Sequence, residues 1–158
     1  MNGTRAPQTG GVRADGFRGG AAVGVAGGDR PQWHTPAPGA AAWTTRELGA
    51  FGEDVAAAYL EEDAMTVVER NWRCRDGELD LVALDGDTVV FVEVKTRRGE
   101  DFGTPAEAVT VSKARRLRRL AARWLREQAW SAGEVRIDVV GVLIRGDTAF
   151  VEHFEGVL

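Results

Sequence analysis

Two short apolar runs, at 79–84 and 88–95, flank the tripeptide Asp-Gly-Asp at 85–87. An Asp-Gly pair between two such runs is a strong signal for a tight hairpin, because the turn it forms matches the right-handed twist of paired strands. We therefore predict that the two runs pair as antiparallel strands. This hairpin requires a sheet in the middle of the chain, and the other elements must be arranged around that sheet.

The segments on either side of the hairpin have the periodicities of helices and strands. Thr44 and Thr45 precede a run with apolar residues at helical spacing, which predicts a threonine N-cap. The TPAE segment at 104–107 has the form of a capping box, so the second helix starts there or restarts at Thr110 or Ser112. The predicted elements are a helix over about 46–63, strands over 65–72, 79–84 and 88–95, a helix ending near 128, and strands over 135–144 and 148–154.

The lengths of the connections predict the topology. Short links between the first three strands indicate an antiparallel meander. The helix between the third and fourth strands indicates a right-handed crossover, which makes that pair parallel. The predicted fold class is therefore α/β, with a mixed β-sheet flanked by helices.

Residues 1–43 differ sharply in composition from the rest of the chain. They contain half of the 20 glycines and four of the five prolines, and almost no large aliphatic residues. Such a segment cannot bury enough apolar surface to offset the entropy lost on ordering. We therefore predict a disordered tail over 1–43 and one domain over 44–158. The arginines of this tail could contact nucleic acid, but a passive tail is the favoured interpretation.

The composition argues against disulfide-stabilised, zinc-binding and membrane proteins. Cys74 is the only cysteine, so no intramolecular disulfide can form and a reducing cytoplasm is expected. His34 and His153 are far apart in sequence, and no Cys/His zinc pattern is present. No apolar run approaches the roughly 20 residues of a membrane span. The N-terminus also lacks the basic start and unbroken apolar stretch of a secretory signal.

The formal net charge of −4 hides a strongly basic segment at 113–126. No acidic residue lies between Glu107 and Glu127, and Arg97 and Arg98 extend the positive charge toward the hairpin. Clustering of one sign suits a phosphate backbone, whereas a solvated helix face usually mixes signs to form i,i+4 pairs. An anionic partner is therefore favoured over a solvated face. The basic residues are Lys113, Arg115, Arg116, Arg118, Arg119, Arg123 and Arg126.

Three tryptophans, Trp72, Trp124 and Trp130, could stack on nucleic-acid bases. Trp124 also falls on the apolar stripe of the second helix, so a core position is favoured for it. That stripe consists of Ala114, Leu117, Leu120, Ala121, Trp124 and Leu125.

Three ionisable residues interrupt the apolar runs of the hairpin. Because successive side chains of a strand point to opposite faces, Glu93 and Lys95 share one face with Val89 and Phe91. A two-residue Asp-Gly loop places Asp80 opposite Phe91, one diagonal step from Glu93. A loop longer by two residues places Asp80 directly opposite Glu93. Either register brings Asp80, Glu93 and Lys95 into one cluster.

Two converging carboxylates repel each other unless a cation lies between them. Mg²⁺ prefers carboxylate and water oxygens, and a nearby lysine can orient a water or neutralise charge on a phosphate. Glu53 would supply a third carboxylate if the first helix packs against this end of the sheet.

Simpler interpretations exist for each of these residues. A Glu/Lys pair often lies on the solvated face of a hairpin, and Glu53 taken alone is more typical of a helix surface. Asp138 interrupts the strand at 135–144 in the same manner. It either faces the cluster or pairs with Arg136 or another arginine, and we favour the structural pairing.

A set of short motifs extends over about residues 45–155. They are GEDVA at 52–56, Asn71, GELDLV at 77–82, FVEVKTR at 91–97, the Phe-Gly pair at 102–103, Lys113 and RIDVV at 136–140. Together they resemble the PD-(D/E)XK nuclease superfamily, whose restriction endonuclease-like core has the order αβββαβ. More narrowly they resemble the YraN-like family of small bacterial proteins, relatives of archaeal Holliday-junction resolvases.

The resemblance implies metal-dependent cleavage of a phosphodiester bond, with structured or branched DNA as the substrate. Asp80 and Glu93 would ligate Mg²⁺ or Mn²⁺ together with the carbonyl of Val94. Lys95 would position the attacking water.

Two further residues match functional positions of these families. Glu53 matches an acid on the first helix and would be a further metal ligand, and Lys113 matches a position that would contact the scissile phosphate. Leu79 departs from the pattern, because it replaces the proline for which the superfamily is named. The resolvase relatives also imply a homodimer. Because this fold also serves proteins that do not cleave nucleic acid, the alternatives are a non-catalytic nucleic-acid-binding module and a small protein-interaction factor.

Overall fold

The computed structural model describes residues 21–23, 32–99, 110–128 and 133–157 of the chain. These residues form seven strands, two α-helices and a short 3-10 helix at Ala40–Ala42. The strands are β1 (Ala21–Val23), β2 (Gln32–Pro36), β3 (Thr66–Cys74), β4 (Gly77–Asp85), β5 (Thr88–Arg98), β6 (Glu134–Arg145) and β7 (Thr148–Phe154), and the helices are α1 (Thr45–Glu62) and α2 (Val111–Glu127). No helix within these ranges is long and apolar enough to cross a membrane.

The strands of the described ranges form one mixed sheet in the order β1-β2-β7-β6-β5-β4-β3. Strands β5 and β6 are parallel, with Thr88 paired to Glu134 and Arg98 paired to Ile144. All other neighbouring strands are antiparallel. The predicted α/β class is therefore confirmed. The order α1, β3, β4, β5, α2, β6 is the predicted αβββαβ core, consistent with a restriction endonuclease-like arrangement.

Strand β5 separates two apolar cores. On one face, Val90, Val92 and Val94 are buried with residues of α1, including Val55 and Leu60. On the other face, the alternate residues Val89 and Phe91 are buried with Leu117, Leu120 and Trp124 of α2. Each fully buried side chain of this size contributes about 1.5–3 kcal/mol. The two helices therefore pack on opposite faces of the sheet, as the alternation along β5 requires.

Both helices begin at threonine caps. The backbone N–H of Thr44 donates to Glu47 Oε2 at 2.7 Å, and the Glu47 N–H donates to Thr44 Oγ1 at 3.3 Å, a complete capping box. Helix α2 begins after Thr110, whose hydroxyl accepts from the N–H of Lys113 at 3.3 Å. The other predicted start, at 104–107, lies outside the described residues.

The predicted boundary at residue 44 is wrong for residues 32–43. Strand β2 pairs with β7 on one side and β1 on the other, and Ala37 and Ala40 are fully buried against the α1 core. A strand added to a sheet edge is held by main-chain hydrogen bonds, which need none of the large aliphatic side chains that this segment lacks. Residues 1–20 and 24–31 of the predicted tail lie outside the described residues.

Helix α1 lies very close to β5 at Gly52. A methyl group added at Gly52 would lie 2.8 Å from Thr96 Cβ and would also collide with the threonine hydroxyl. Gly49, one turn earlier on α1, has open space around it. Only glycine fits between α1 and Thr96, and this approach brings Glu53 to the end of β5.

We expect Gly52→Ala to lower the free energy of unfolding by up to about 2 kcal/mol, because the overpacking cost of about 1–3 kcal/mol exceeds the gain of about 1 kcal/mol from the better helix propensity of alanine. The matched control Gly49→Ala should raise it by up to about 1 kcal/mol. Urea unfolding of both variants measures the difference. Adding Thr96→Ala to Gly52→Ala should restore part of the loss. Equal effects of the two glycine substitutions would show that the close approach does not constrain the fold.

Candidate active site

The β4–β5 register places Asp80 directly opposite Glu93 on the neighbouring strand. The pairs run from Asp85 with Thr88 to Leu81 with Val92, so the next row holds Asp80 and Glu93. This is the second of the two predicted registers. Asp85 extends the ladder into the predicted loop, and the turn consists of Gly86 and Asp87, with Gly86 at a φ of 57° that favours glycine.

The carboxylates of this row have different partners. Asp80 Oδ2 accepts the backbone N–H of Val94 at 2.8 Å, and it does so where the β4–β5 pairing ends. The Lys95 ammonium donates to Glu93 Oε1 at 2.7 Å, and Lys113 Nζ from α2 lies 3.7 Å from the same oxygen. Glu93 is only 5% exposed. The structure thus brings Asp80, Glu93 and Lys95 together, as predicted from strand alternation, and adds Lys113.

Glu53 lies at the same end of the sheet. Its Oε2 atom accepts from Asn71 Nδ2 of β3 at 2.8 Å. The predicted condition for a third carboxylate, packing of α1 against this end of the sheet, is therefore met. Glu53, Asp80, Glu93, Lys95 and Lys113 line one cleft of about 420 Å³. Its lining consists of Thr45, Leu48, Gly49, Glu53, Glu78, Asp80, Glu93, Val94, Lys95, Thr96, Lys113 and Arg116.

The electrostatics of the cleft set Asp80 apart from its neighbours. Burial and then the nearby charge of Glu93 raise the pKa of Asp80 to about 7, against the opposing hydrogen bond from the Val94 N–H. Glu53 adds to the rise, and Lys95 opposes it. Asp80 is therefore a carboxyl group that exchanges its proton near neutral pH, which is unusual for aspartate.

The two lysines of the cleft are shifted in opposite directions. Burial lowers the pKa of Lys95, but the hydrogen bond to Glu93 and the surrounding carboxylates raise it on balance. The pKa of Lys113 is lowered, chiefly by its interaction with Lys95 and by burial. Lys95 is therefore a firmly charged ammonium at neutral pH, and Lys113 is the more easily deprotonated of the two.

The donors around the cleft are the oxygen ligands that Mg²⁺ and Mn²⁺ prefer, namely the carboxylates of Asp80, Glu93 and Glu53 and the backbone carbonyl of Val94. Within the described ranges, no group of three His, Cys, Asp or Glu side chains is already arranged to hold a metal ion. Glu93 is paired with Lys95 instead. The donor set fits a hard cation chemically, and a cation would offset both the burial and the repulsion from Glu93 that raise the pKa of Asp80.

Helix α2 supplies the positive rim of the cleft. Lys113 and Arg116 line it, while Arg115, Arg118 and Arg119 are exposed along the helix. No ion pair between these three arginines and an acid occurs among the described residues, in accord with the basic character predicted for this helix.

Farther along α2, the basic residues meet acids. Arg123 pairs with Asp76 of the β3–β4 turn at 3.1 Å and with Glu127 at 2.8 Å. Arg119, Arg123 and Arg126 border a second cleft together with Arg75. Arg123 is therefore neutralised by an acid that is distant in sequence.

Curated relatives match about two thirds of the chain or more. A protein of Beutenbergia cavernae is 64% identical over 111 residues, which are 70% of this chain and 94% of the relative. A protein of Rhodococcus opacus is 58% identical over 107 residues, 67% of this chain and 91% of the relative. The sequence model described as uncharacterised protein family UPF0102 matches residues 52–142.

The chain belongs to the UPF0102 family. This family is the YraN-like family that the sequence motifs resemble, so the narrower resemblance is confirmed. The matched range 52–142 contains all the charged side chains of the carboxylate cleft, whereas the lining residues Thr45, Leu48 and Gly49 precede it. The relatives carry the family name alone, and that name states no activity.

Arg98 of this UPF0102 protein does not belong to the predicted nucleic-acid surface. Side chains alternate along β5, so Lys95 and Arg97 point to the α2 face and Arg98 points to the opposite face. Its guanidinium donates to the carbonyls of Ala40 and Ala41 at 2.8 and 3.0 Å, and to that of Trp43 at 2.9 Å. Arg98 instead holds the segment before α1 against the sheet, an interaction that sequence spacing cannot predict.

Two of the three candidate stacking residues are core side chains. Trp72 is 8% exposed and Trp124 is 2% exposed, and both belong to the apolar cluster under α2. The indole N–H of Trp124 donates to the carboxylate of Glu69. Neither ring is available to stack on a base, and Trp130 lies outside the described residues.

Asp138 has the structural role that we favoured from the sequence. It is fully buried and accepts hydrogen bonds from Arg136 Nε at 3.0 Å and the Gly156 N–H at 2.9 Å, and His153 Nε2 lies 2.8 Å from its Oδ2 atom. Burial raises its pKa, but the hydrogen bonds from His153, Arg136 and Gly156 lower it on balance.

We expect Asp80→Asn and Asp138→Asn to have opposite effects on stability at about pH 8 without divalent metal. The folded state of the UPF0102 protein binds the Asp80 proton more tightly than the unfolded chain does, so stability falls as pH rises between about 4 and 7. Asparagine removes this charge and keeps an acceptor for the Val94 N–H. It should therefore stabilise the protein by about 1–3 kcal/mol, since each pH unit between the two pKa values corresponds to about 1.4 kcal/mol.

Asp138→Asn should instead destabilise the protein by about 3–5 kcal/mol, because it removes one partner of a buried ion pair. Its lowered pKa makes that contribution present above about pH 4 and lost as pH falls further. Urea unfolding at several pH values measures both effects. A loss of stability in Asp80→Asn at pH 8 would contradict the proposed repulsion within the cleft.

Proposed function

We propose that this UPF0102 protein is a Mg²⁺-dependent endonuclease of the PD-(D/E)XK superfamily that hydrolyses phosphodiester bonds in structured or branched DNA. The observation that carries the proposal is the convergence of Asp80, Glu93 and Lys95 in one cleft, with Glu53 at its margin. The basic surface of α2 borders the same cleft, as a polyanionic substrate requires.

Asp80, Glu93 and the Val94 carbonyl would hold Mg²⁺ or Mn²⁺, with Glu53 as a further ligand. A bound divalent ion would supply Lewis-acid activation and neutralise charge that develops on the phosphate. Asp80 must be deprotonated to serve as a ligand. Since its pKa is about 7 in the metal-free protein, metal affinity should rise as pH increases through neutrality.

Lys95 would act on the attacking water and the phosphate. Its ammonium is fixed by the 2.7 Å hydrogen bond to Glu93, and its raised pKa keeps it charged at neutral pH. This state favours orientation of water and electrostatic stabilisation over proton abstraction. Lys113 and Arg116, on the α2 side of the cleft, would bind the scissile phosphate and its neighbour.

A second candidate is a nucleic-acid-binding module that does not cleave. It is favoured by the exposed arginines Arg115, Arg118 and Arg119, which lie outside the cleft. It is also favoured by the ion pair between Glu93 and Lys95, because that pair engages a carboxylate that the metal site would need. A protein-interaction factor whose basic helix binds an acidic partner is the outcome if no nucleic acid binds. The homodimer and the cytoplasmic location remain predictions from the resemblance and from the single cysteine.

We expect Mg²⁺- or Mn²⁺-dependent cleavage of at least one substrate in a panel of four-way junction, flap, linear duplex and single-stranded DNA. Lys95→Ala should reduce the single-turnover rate by about 10²–10³-fold, because it removes a preorganised charge at the reacting phosphate. Arg145→Ala, which removes an exposed cation at the end of β6, should cleave as the wild type does. DNA binding with no cleavage of any substrate would favour the non-catalytic module, and cleavage unchanged in Lys95→Ala would contradict the assigned site.

We expect the exposed face of α2 to dominate the salt dependence of DNA binding. Changing Arg115, Arg118 and Arg119 to Gln should flatten the slope of log affinity against log salt concentration by up to about 3, because each lost phosphate contact contributes about 0.9. The control changes Arg46, Arg73 and Arg145, three exposed arginines elsewhere, to Gln and alters net charge equally. Fluorescence anisotropy across a range of KCl concentrations gives both slopes. Equal slopes for the two triple variants would show that net charge, rather than this helix, attracts the DNA.

A further inference from the structure

The side chains of strand β3 stop alternating regularly between the two faces of the sheet beside the cleft. Glu69 contacts Trp124 of α2, whereas Arg70 binds Asp54 of α1, as alternation requires. The next residue, Asn71, also contacts α1 through Glu53, and Trp72 then returns to the α2 core. Two consecutive side chains therefore reach the same helix, which a regular strand does not allow.

Strand β4 makes the same change in the same row. Leu81, paired with Arg70, lies in the α1 core, and Leu79, paired with Trp72, lies in the α2 core. Residues 79 and 81 would share a face in a regular strand. The two strands thus exchange faces together between these rows, at Asn71 and Asp80.

The backbone of Asn71 accounts for this exchange. Its φ of 53° is in the left-handed region, and within the described strands it is the only non-glycine residue with positive φ. Asparagine tolerates this conformation better than other residues that have a Cβ atom. A left-handed residue inside a strand interrupts the alternation, so the side chain of Asn71 points toward α1 instead of α2.

We propose that Asn71 is a positioning residue for Glu53. Its left-handed backbone directs the side-chain amide to α1, and the amide then holds one carboxylate oxygen of Glu53 in the cleft beside Asp80 and Glu93. An amide donor fits this role without adding a negative charge, whereas aspartate at this position would repel Glu53. That Glu53 serves as a metal ligand there rests on the proposed function.

The first test needs no metal. In the wild type, one side-chain amide proton of Asn71 should be shifted in the NMR spectrum and protected from exchange by its hydrogen bond to Glu53. Glu53→Ala should abolish both the shift and the protection. An Asn71 amide signal that is the same with and without the Glu53 carboxylate would overturn the proposal, whatever the protein binds.

The second test measures Mn²⁺ affinity by electron paramagnetic resonance. Asn71→Gly keeps the left-handed backbone and removes the amide, so Mn²⁺ should bind roughly 10- to 100-fold more weakly, as is typical when a partner that orients a ligand is lost. Ala64→Gly is the control, because Ala64 has a φ of 64° at the end of α1 and lines no part of the cleft. It should bind Mn²⁺ as the wild type does.

The same substitution made in a Glu53→Ala background separates positioning from general damage to the fold. Asn71→Gly should then cause no further loss of affinity, because the carboxylate that it positions is absent. A full additional loss would overturn the positioning role. If the wild type binds no Mn²⁺, the proposed nuclease function fails, and the NMR measurement still decides the role of Asn71.

Discussion

The alternation of side chains along β5 is the constraint on which the rest of the molecule depends. Its odd-numbered residues from Val89 to Phe91 belong to the core under α2, and its even-numbered residues from Val90 to Val94 belong to the core under α1. The strand is buried on both faces because each face carries a helix, as expected for a central strand with a parallel neighbour. Where the apolar residues end, the same alternation presents Glu93 and Lys95 to α2 and Thr96 to Gly52 of α1.

The cleft at this end of the sheet combines converging carboxylates with a strained backbone. Asp80 and Glu93 are carboxylates brought together with little solvent, and Asn71 has a left-handed backbone that costs about 1–2 kcal/mol. Asp138, by contrast, is a buried carboxylate whose partners satisfy it. Repulsion and backbone strain therefore coincide at one place in the molecule, and such departures are typical of functional sites.

The negative net charge of the chain conceals a basic surface on α2. The chain carries a net charge of −4, yet α2 presents exposed arginines along one face and lysine at the cleft. Two of the basic residues predicted to bind a partner have internal roles instead. Arg98 binds the carbonyls of the segment before α1, and Arg123 is neutralised by Asp76 and Glu127. Of the basic residues predicted to bind a partner, those on the outer face of α2 and at the rim of the cleft therefore remain available to an anion.

The sequence by itself determined the helices, the strands, the hairpin and the face on which Glu93 and Lys95 lie, because these follow from spacing and alternation between near neighbours. Only the tertiary structure decided which of the two registers Asp80 adopts. It also decided that Trp72 is buried and that residues 32–36 pair with β7 through main-chain hydrogen bonds. It also decided the contact between Asn71 and Glu53, which joins a strand to a helix through one strained residue. Such features depend on which distant segments pack together, and no local pattern records that choice.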